Sequence, residues 1–196
     1  MSRYSFNPSI LEINGRVWIK RFTSKSEQIT LSHVDETFFN YLQQNQFDYL
    51  WLMGAWQNSE ESVDKYCFID GLQNEYSNAL PDWKKSDVIG SPYAIAEYTV
   101  NKRFGAKSDL LRFKDRLNRT GLKLILDFVP NHFSAESKLI SSNPEIFLEA
   151  DEELLAADRK TFFTSEERIF AHGKDPYFPA WQDTVQINYF NTATYD

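Results

Sequence analysis

Residues 122–132 read Leu-Lys-Leu-Ile-Leu-Asp-Phe-Val-Pro-Asn-His. The apolar run at the start predicts a β-strand that ends at Asp127, and an amide and an imidazole follow at Asn131 and His132. In parallel β/α proteins the functional groups lie in the loops that follow the carboxyl ends of strands. We therefore expect a functional site after this strand, although one His beside one Asn is more often a structural hydrogen-bonding pair.

Two further strands and two helices are predicted upstream of this stretch. Phe47–Met53 is a nearly continuous apolar run, which is typical of a strand covered on both faces in a parallel sheet. Alternating polar and apolar residues predict a strand at about Gly15–Arg21. The helices are predicted to begin at Asp35 and Ser108, which can cap them, and Gly121 closes the second. Strands and helices in this order form the repeating unit of a parallel α/β protein.

The segments between and after these elements are less regular. Residues 54–106 contain no equally clean element, and a connection of that length in a compact domain is usually functional. From Phe133 onward the pattern becomes irregular, which indicates a large excursion from the end of the third strand. Three places are therefore candidates for chemistry, namely the loop after the second strand, the long connection and the loop after the third strand, at Met53–Gln57, Ser91–Tyr93 and Asp127–His132.

The composition of the 196 residues argues against several classes of protein. A net charge of −7 argues against a nucleic-acid partner, whose phosphates require basic patches. Cys67 is the single cysteine, so no intrachain disulfide can form. The N-terminus lacks the apolar region of a signal peptide, and no stretch approaches about 18 uncharged apolar residues, so we expect a cytoplasmic protein without a membrane partner. The 16 Phe, 10 Tyr and 5 Trp suit a large core and sugar-binding clefts.

Other catalytic patterns are absent from the sequence. His33, His132 and His172 are too scattered for an H-x-H or H-E-x-x-H zinc motif, and there is no G-x-S-x-G nucleophile elbow. Carboxylates are abundant, but the sequence alone assigns no catalytic pair, because an acid and a nucleophile must lie about 5 to 9 Å apart across the scissile bond.

Five segments in register along residues 11–191 point to one known family. Residues 127–132 have the pattern D-x-x-x-N-H at the end of an apolar strand, and residues 90–98 are similar to G-Y-x-x-x-D-Y, with Ser-Pro inserted after the Gly and Glu97 in place of the Asp. These two segments resemble the first signature region and an upstream motif of the α-amylase superfamily, glycoside hydrolase family 13. The other three resemble its first barrel strand, its second barrel strand and its fifth signature region, at Ile13–Arg21, Phe47–Gln57 and Asp183–Asn191.

This resemblance implies roles for individual residues. Tyr93 would stack on the sugar in subsite −1, and His132 would hydrogen-bond hydroxyls of the same sugar. Asp127 would orient an active-site Arg contributed by the fourth strand. Asn131 corresponds to a calcium ligand in the calcium-dependent members, but Gln186 stands where these usually have Asp, and an uncharged ligand attracts Ca²⁺ less. The resemblance thus leaves calcium open and implies no required cofactor.

The resemblance also implies where the catalytic carboxylates lie. The nucleophile, the acid/base and the third carboxylate of the family follow strands four, five and seven, so all three are expected beyond Asp196. The parent is expected to be a retaining glycoside hydrolase or transglycosylase that acts on α-glucans or oligosaccharides. We expect the 196-residue chain alone to be inactive.

The predicted fold class is α/β, specifically strands 1 to 3 of the N-terminal portion of a (β/α)8 barrel, with a domain B excursion after strand 3. A complete barrel needs about 250 residues, more than the 196 of this chain. Residues 1–132 are predicted to form the first three β/α units, and residues 133–196 a domain B-like insertion with the start of the return to the barrel. The third strand would then present an unpaired edge through which the chain could self-associate.

Two other functions remain open at this point. One is a non-catalytic carbohydrate-binding or regulatory protein built on part of the same fold, for which Tyr93 and His132 would still serve. Binding of maltose analogues without turnover would favour it. The other is a metal-dependent barrel hydrolase that uses His132 and Asp127, which predicts bound Zn²⁺.

Overall fold

The computed structural model describes residues 7–22 and 29–195. In chain order its strands are β1 (Ile10–Asn14), β2 (Tyr49–Met53), β3 (Trp56–Asn58), β4 (Ile95–Val100), β5 (Lys123–Leu126), β6 (His132–Ser134), β7 (Phe162–Ser165), β8 (Arg168–Ala171) and β9 (Thr184–Gln186). Its helices are α1 (Gly15–Trp18), α2 (Glu36–Gln44), α3 (Glu60–Tyr66), α4 (Asp70–Ala79), α5 (Lys107–Arg119), α6 (Leu139–Ser142) and α7 (Glu152–Ala157). None of the helices in these two ranges is long and apolar enough to cross a membrane.

The chain divides into two compact units. Unit 1 comprises residues 1–57 and 98–128, and unit 2 comprises residues 58–97 and 129–196. Each unit has its own cluster of buried apolar side chains. Each unit therefore has its own hydrophobic core, which positions the residues of that unit.

A parallel three-stranded sheet forms the centre of unit 1, in the order β1-β2-β5. Asn14 is paired with Met53 and Leu52 with Leu126, so the three strands end at the same edge of the sheet. The helices α2 and α5 contribute side chains to the same core as β2. The predicted strand and helix order of a parallel α/β protein is thus observed in this unit, and the sheet edge collects the residues that follow each strand.

The second and third predicted strands are confirmed as β2 and β5. The helix α2 also begins as predicted, because the side chain of Asp35 accepts hydrogen bonds from the amides of Thr37 at 2.9 Å and Phe38 at 3.3 Å. A carboxylate at this position satisfies amide groups that have no partner within the helix. Local capping and an apolar run were therefore sufficient to place these elements.

The prediction of a first strand at Gly15–Arg21 is wrong. The strand is β1, which ends where that range begins, and α1 and a short 3-10 helix follow it. Trp18 and Ile19 are adjacent and both are buried, whereas Val17 is 51% exposed. Successive residues of a strand point to opposite faces, so two adjacent buried side chains fit a helical turn better than a strand with one covered face.

The predicted start of the second helix at Ser108 is also wrong. The N-cap of α5 is Ala106, and Asp109 in the first turn accepts the Ala106 amide at 2.8 Å. Gly105 precedes it with φ of +95°, and a Cβ there would lie 2.5 Å from Asp109 Oδ2. The carboxylate of Asp109 and the glycine together set where this helix begins.

The long connection at residues 54–106 contains more structure than expected. It includes β3, α3, α4 and β4, and most of it belongs to unit 2. The side chain of Ser59 accepts the amide of Ser62 and so caps α3. In the remainder of unit 2, β6 pairs with β9 and β7 with β8, both antiparallel, around a core that includes Phe147, Phe170 and Val185.

Candidate functional site

Asp127 lies directly after β5 in unit 1 and is 7% exposed. Its Oδ1 accepts a hydrogen bond from Trp51 Nε1 at 2.8 Å, and its Oδ2 accepts one from the amide of Gly54 at 2.6 Å. Its main-chain oxygen accepts from Trp56 Nε1 at 2.7 Å. The carboxylate therefore fastens the end of β2 to the end of β5. Each carboxylate oxygen can accept more than one hydrogen bond, so the role of orienting an arginine stays a prediction.

An aromatic surface lies next to Asp127 in unit 1. The ring of Trp56 packs edge-on against Tyr98, with centroids 5.4 Å apart, and Tyr98 lies 6.3 Å from Phe128. Phe128 is 79% exposed. Rings with exposed faces match the apolar C–H face of a pyranose, so this surface is of a kind that can contact a sugar.

Tyr93 and His132 are brought together in unit 2. The imidazole of His132, at the start of β6, hydrogen-bonds the main chain of Tyr93. The amide of Tyr93 donates to Ser91 Oγ at 3.1 Å, which holds the turn before β4. Tyr93 is 37% exposed while His132 is only 8% exposed. The pair thus combines an accessible ring with a fixed imidazole.

The protonation state of His132 follows from its surroundings. Its ring lies 5.2 Å from the ring of Trp181, and burial lowers the pKa of the imidazole despite the hydrogen bond to the main chain of Tyr93. Asn131 Nδ2 lies 3.2 Å from Nδ1 of His132. With the amide nitrogen as donor, Nδ1 accepts and the proton of the neutral ring is on Nε2. In this tautomer the single N–H of His132 is the group that donates to the main chain of Tyr93.

Asn131 and Gln186, at which the resemblance implies calcium-ligand positions, are hydrogen-bonded to each other. Gln186 Nε2 donates to the main-chain oxygen of Asn131 at 2.9 Å and to its Oδ1 at 3.1 Å. The oxygens that would serve a cation therefore accept hydrogens from an amide. Ca²⁺ prefers several carboxylate and carbonyl oxygens, and the residues present do not fit that requirement.

A zinc site based on His132 and Asp127 would need a further ligand close to them. Within residues 7–22 and 29–195, no group of three or more His, Cys, Asp or Glu side chains could hold a metal ion. A structural or catalytic zinc needs at least three such ligands. The described part of the chain therefore gives no support to the metal-dependent alternative based on His132 and Asp127.

Sequence reasoning missed two of the residues that build these sites, Trp51 and Trp181, and assigned no structural role to a third, Gln186. Trp51 supplies an indole N–H to Asp127, and Trp181 packs its ring against His132. Gln186 was identified only as a departure from a family pattern, yet its amide holds Asn131. Trp56 lies in one of the three loops singled out as candidates, whereas no spacing or motif distinguishes Trp51 or Trp181 from core aromatics.

Comparison with known proteins supplies the family. The sequence model described as the catalytic domain of alpha amylase matches residues 33–190. Maltase A1 of Drosophila melanogaster is 35% identical over 65 residues, which cover 31% of this chain and 11% of the maltase. A 1,4-alpha-glucan branching enzyme of Geobacillus stearothermophilus is 42% identical over 43 residues, which cover 22% of this chain and 7% of that enzyme. The matched regions thus span small parts of these relatives.

Solved structures show the same fold. An alpha-amylase from Lactobacillus plantarum superimposes with a TM-score of 0.58 at 21% identity, over 95% of this chain and 33% of that one. The trehalose-6-phosphate hydrolase of Bacillus licheniformis superimposes with a TM-score of 0.63 at 14% identity, over 95% of this chain and 31% of the hydrolase. The chain spans about a third of these enzymes and shares the fold of part of their barrel-containing structures. Because the family's sequence model covers residues 33–190 of 196, the chain belongs to the α-amylase family.

Proposed function

We propose that this chain supplies the sugar-holding part of a retaining glycoside hydrolase or transglycosylase that acts on α-glucans or related oligosaccharides. The observation that carries the proposal is the hydrogen bond between the His132 imidazole and the main chain of Tyr93. The ring of Tyr93 stacks on the C–H face of the glucosyl unit in subsite −1. The Nε2–H of His132 is shared between the Tyr93 main chain and a hydroxyl of that unit.

Unit 1 has a supporting role in this proposal. Asp127, held by Trp51 and Gly54, orients an arginine of the parent enzyme, whose guanidinium can donate two parallel hydrogen bonds to a carboxylate. Residues 1–132 represent the first three β/α units, and residues 133–196 a domain B-like insertion. The parent enzyme uses a carboxylate nucleophile and a carboxylic acid about 5 to 5.5 Å apart, and neither is assigned to a residue of this chain.

Binding of a small glucoside tests the proposal. Titration of the purified chain with methyl α-D-glucopyranoside is expected to give saturable heat, and Tyr93→Ala is expected to weaken binding about tenfold or more, because the stacking surface is removed. Tyr177, in the same unit and 88% exposed, provides a matched control, and Tyr177→Ala should bind like the wild type. Equal affinity of the Tyr93 and Tyr177 variants would reject the assignment of Tyr93.

Turnover assays on the chain and on any longer natural form of it separate this proposal from the non-catalytic alternative. We expect no hydrolysis of maltooligosaccharides by the 196-residue chain, since a retaining mechanism without its nucleophile and acid retains only positioning effects. Turnover that follows the purified chain through chromatography would contradict this. The alternative is favoured if a longer natural form of the chain binds the glucoside and also lacks turnover.

We further propose that Gln186 takes the place of calcium at Asn131. The free energy of unfolding is expected to be the same in Ca²⁺ and in chelator, whereas a metal present at about 100 times its Kd would add about 2.7 kcal/mol. Gln186→Ala is expected to cost about 1 to 2 kcal/mol, because Asn131 Oδ1 loses its donor and the main-chain oxygen of Asn131 keeps only the hydrogen bond from the Ile187 amide. The exposed Gln182 is the control, with little change in Gln182→Ala. Stabilisation of the wild type by Ca²⁺ would overturn the proposal.

A further inference from the structure

Unit 2 contains a cavity of about 1070 Å³ that the roles given above to Tyr93 and His132 do not explain. One wall is formed by the segment from Lys65 to Ser91, and the other mainly by residues 179–183. Lys65 Nζ donates to Glu136 Oε1 at 2.8 Å and ties the first wall to the rest of the unit. Cavities of roughly this size accommodate small molecules, typically with apolar walls and a few placed polar groups.

The helix α4 gives the cavity an apolar wall. Leu72, Tyr76 and Ala79 recur on it at intervals of four and three residues, so they share one face, and all three line the cavity. No residue of α4 is buried. Leu72 remains 36% exposed, and Leu80 just after the helix 48% exposed. The apolar face of this helix is thus turned to an open space rather than packed into a core.

The opposite side of the cavity adjoins the sugar site. Trp181 lines the cavity, and its ring also lies 5.2 Å from that of His132. Ser91 lines it too, and its Oγ accepts the amide of Tyr93 at 3.1 Å. Polar groups of the lining, such as Ser91 and Asp183, therefore belong to the segments that hold Tyr93 and His132. The cavity thus extends from the segments that hold Tyr93 and His132 to the apolar face of α4.

We infer that this cavity binds the apolar aglycone of an α-glucoside whose sugar is held by Tyr93 and His132. The inference rests on the proposed function of that pair. A group attached to that sugar can reach the cavity, because Trp181 lines the cavity and its ring lies 5.2 Å from that of His132. A further glucose unit fits the α4 wall less well than an apolar group, since hydroxyls that face Leu72 and Leu80 would lose water without gaining hydrogen bonds.

Two glucosides that differ only in the aglycone test this. We expect the chain to bind para-nitrophenyl α-D-glucopyranoside about tenfold more tightly than methyl α-D-glucopyranoside in calorimetric titrations, because a ring leaves water for an apolar wall. Leu72→Gln should reduce this ratio by several-fold and leave the affinity for the methyl glucoside unchanged. Asn74→Gln is the matched control, because Asn74 is exposed on the same helix and does not line the cavity.

The outcomes separate the two proposals. If Tyr93→Ala weakens both glucosides but the wild type binds them equally, the sugar site stands and the aglycone cavity is wrong. If Tyr93→Ala leaves the affinity for both glucosides unchanged, the proposed function is wrong. A preference for the aryl glucoside that is lost in Leu72→Gln would then still show that the cavity binds the aryl group. Tighter binding of maltose than of the aryl glucoside would show that the cavity prefers a second sugar and would overturn the inference. Helicity measured by circular dichroism confirms that each variant is folded.

Discussion

Asp109→Ala is expected to lower the free energy of unfolding by about 3 kcal/mol, as measured by chemical denaturation. The carboxylate of Asp109 accepts hydrogen bonds from Ser32 Oγ at 2.5 Å, Thr30 Oγ1 at 3.0 Å, the Ala106 amide at 2.8 Å and Arg112 Nη2 at 2.9 Å. The side chain is 12% exposed. Its removal leaves several partly buried donors without an acceptor and removes the group that begins α5.

The acid dependence of this effect has a defined sign. The hydrogen bond from Ser32, followed by those from Ala106, Arg112 and Thr30, holds the pKa of Asp109 well below its usual 3.8. Because the pKa is lowered in the folded state, the carboxylate of Asp109 contributes fully to the free energy of unfolding above about pH 4. This contribution is lost as the pH falls toward the pKa of the folded state. The difference between wild type and Asp109→Ala should therefore shrink in acid.

Asp115 provides the control for this prediction. It lies on the same helix and is exposed, so Asp115→Ala should change the free energy of unfolding by no more than about 0.5 kcal/mol. Equal losses in the two variants would mean that charge on α5 in general, rather than the contacts of Asp109, stabilises unit 1.

Asp127→Ala is expected to cost a similar amount, about 3 kcal/mol. The substitution removes the carboxylate that accepts hydrogen bonds from Trp51 Nε1 at 2.8 Å and from the Gly54 amide at 2.6 Å. The hydrogen bond from the Gly54 amide is buried. A buried donor without a partner carries its full desolvation cost, which is larger than the net gain from an ordinary hydrogen bond. Denaturation monitored by tryptophan fluorescence measures the loss.

A double-mutant cycle isolates the contact between Asp127 and Trp51. Trp51→Phe keeps a ring and removes the N–H, so part of the cost of Asp127→Ala should disappear in the Trp51→Phe background. We expect a coupling of about 1 to 2 kcal/mol. Fully additive losses would show that the indole N–H finds another acceptor and that Asp127 does not fasten β2 to β5 through this bond.

The fold could be predicted from the sequence where local signals agree with the buried pattern. β2 and β5 are short apolar runs covered in the core, and Asp35 caps α2. The first strand was misplaced because alternating residues from Gly15 onward imitate a strand, while packing buries the adjacent Trp18 and Ile19 on one side. Only tertiary contacts distinguish these two arrangements.

The predictions for the start of α5 and for the long connection were wrong for related reasons. Ser108 has the residue type of a cap, but Asp109 reaches the Ala106 amide and also the hydroxyls of Ser32 and Thr30. Those hydroxyls are distant in sequence, so no local pattern contains them. α4 was not predicted because it buries no residue and has no apolar stripe against a core.

The candidate site could be predicted only in part. The motifs identified Tyr93, Asn131 and His132, and the structure places all three in unit 2 with the His132 imidazole bonded to the other two residues. The contact of Trp181 with His132 spans many residues of chain and has no signature in the sequence. The hydrogen bonds of Gln186 likewise required the pairing of β6 with β9, which brings it opposite His132.

The central claim is that His132 contacts the sugar, and the imidazole nitrogen resonances of the purified chain test it most directly. On titration with methyl α-D-glucopyranoside, we expect a saturable change at His132, because its Nε2–H gains a hydroxyl partner, and no change at the exposed His33. The midpoint should equal the calorimetric Kd. Binding that saturates while the His132 nitrogens remain unchanged would contradict the account.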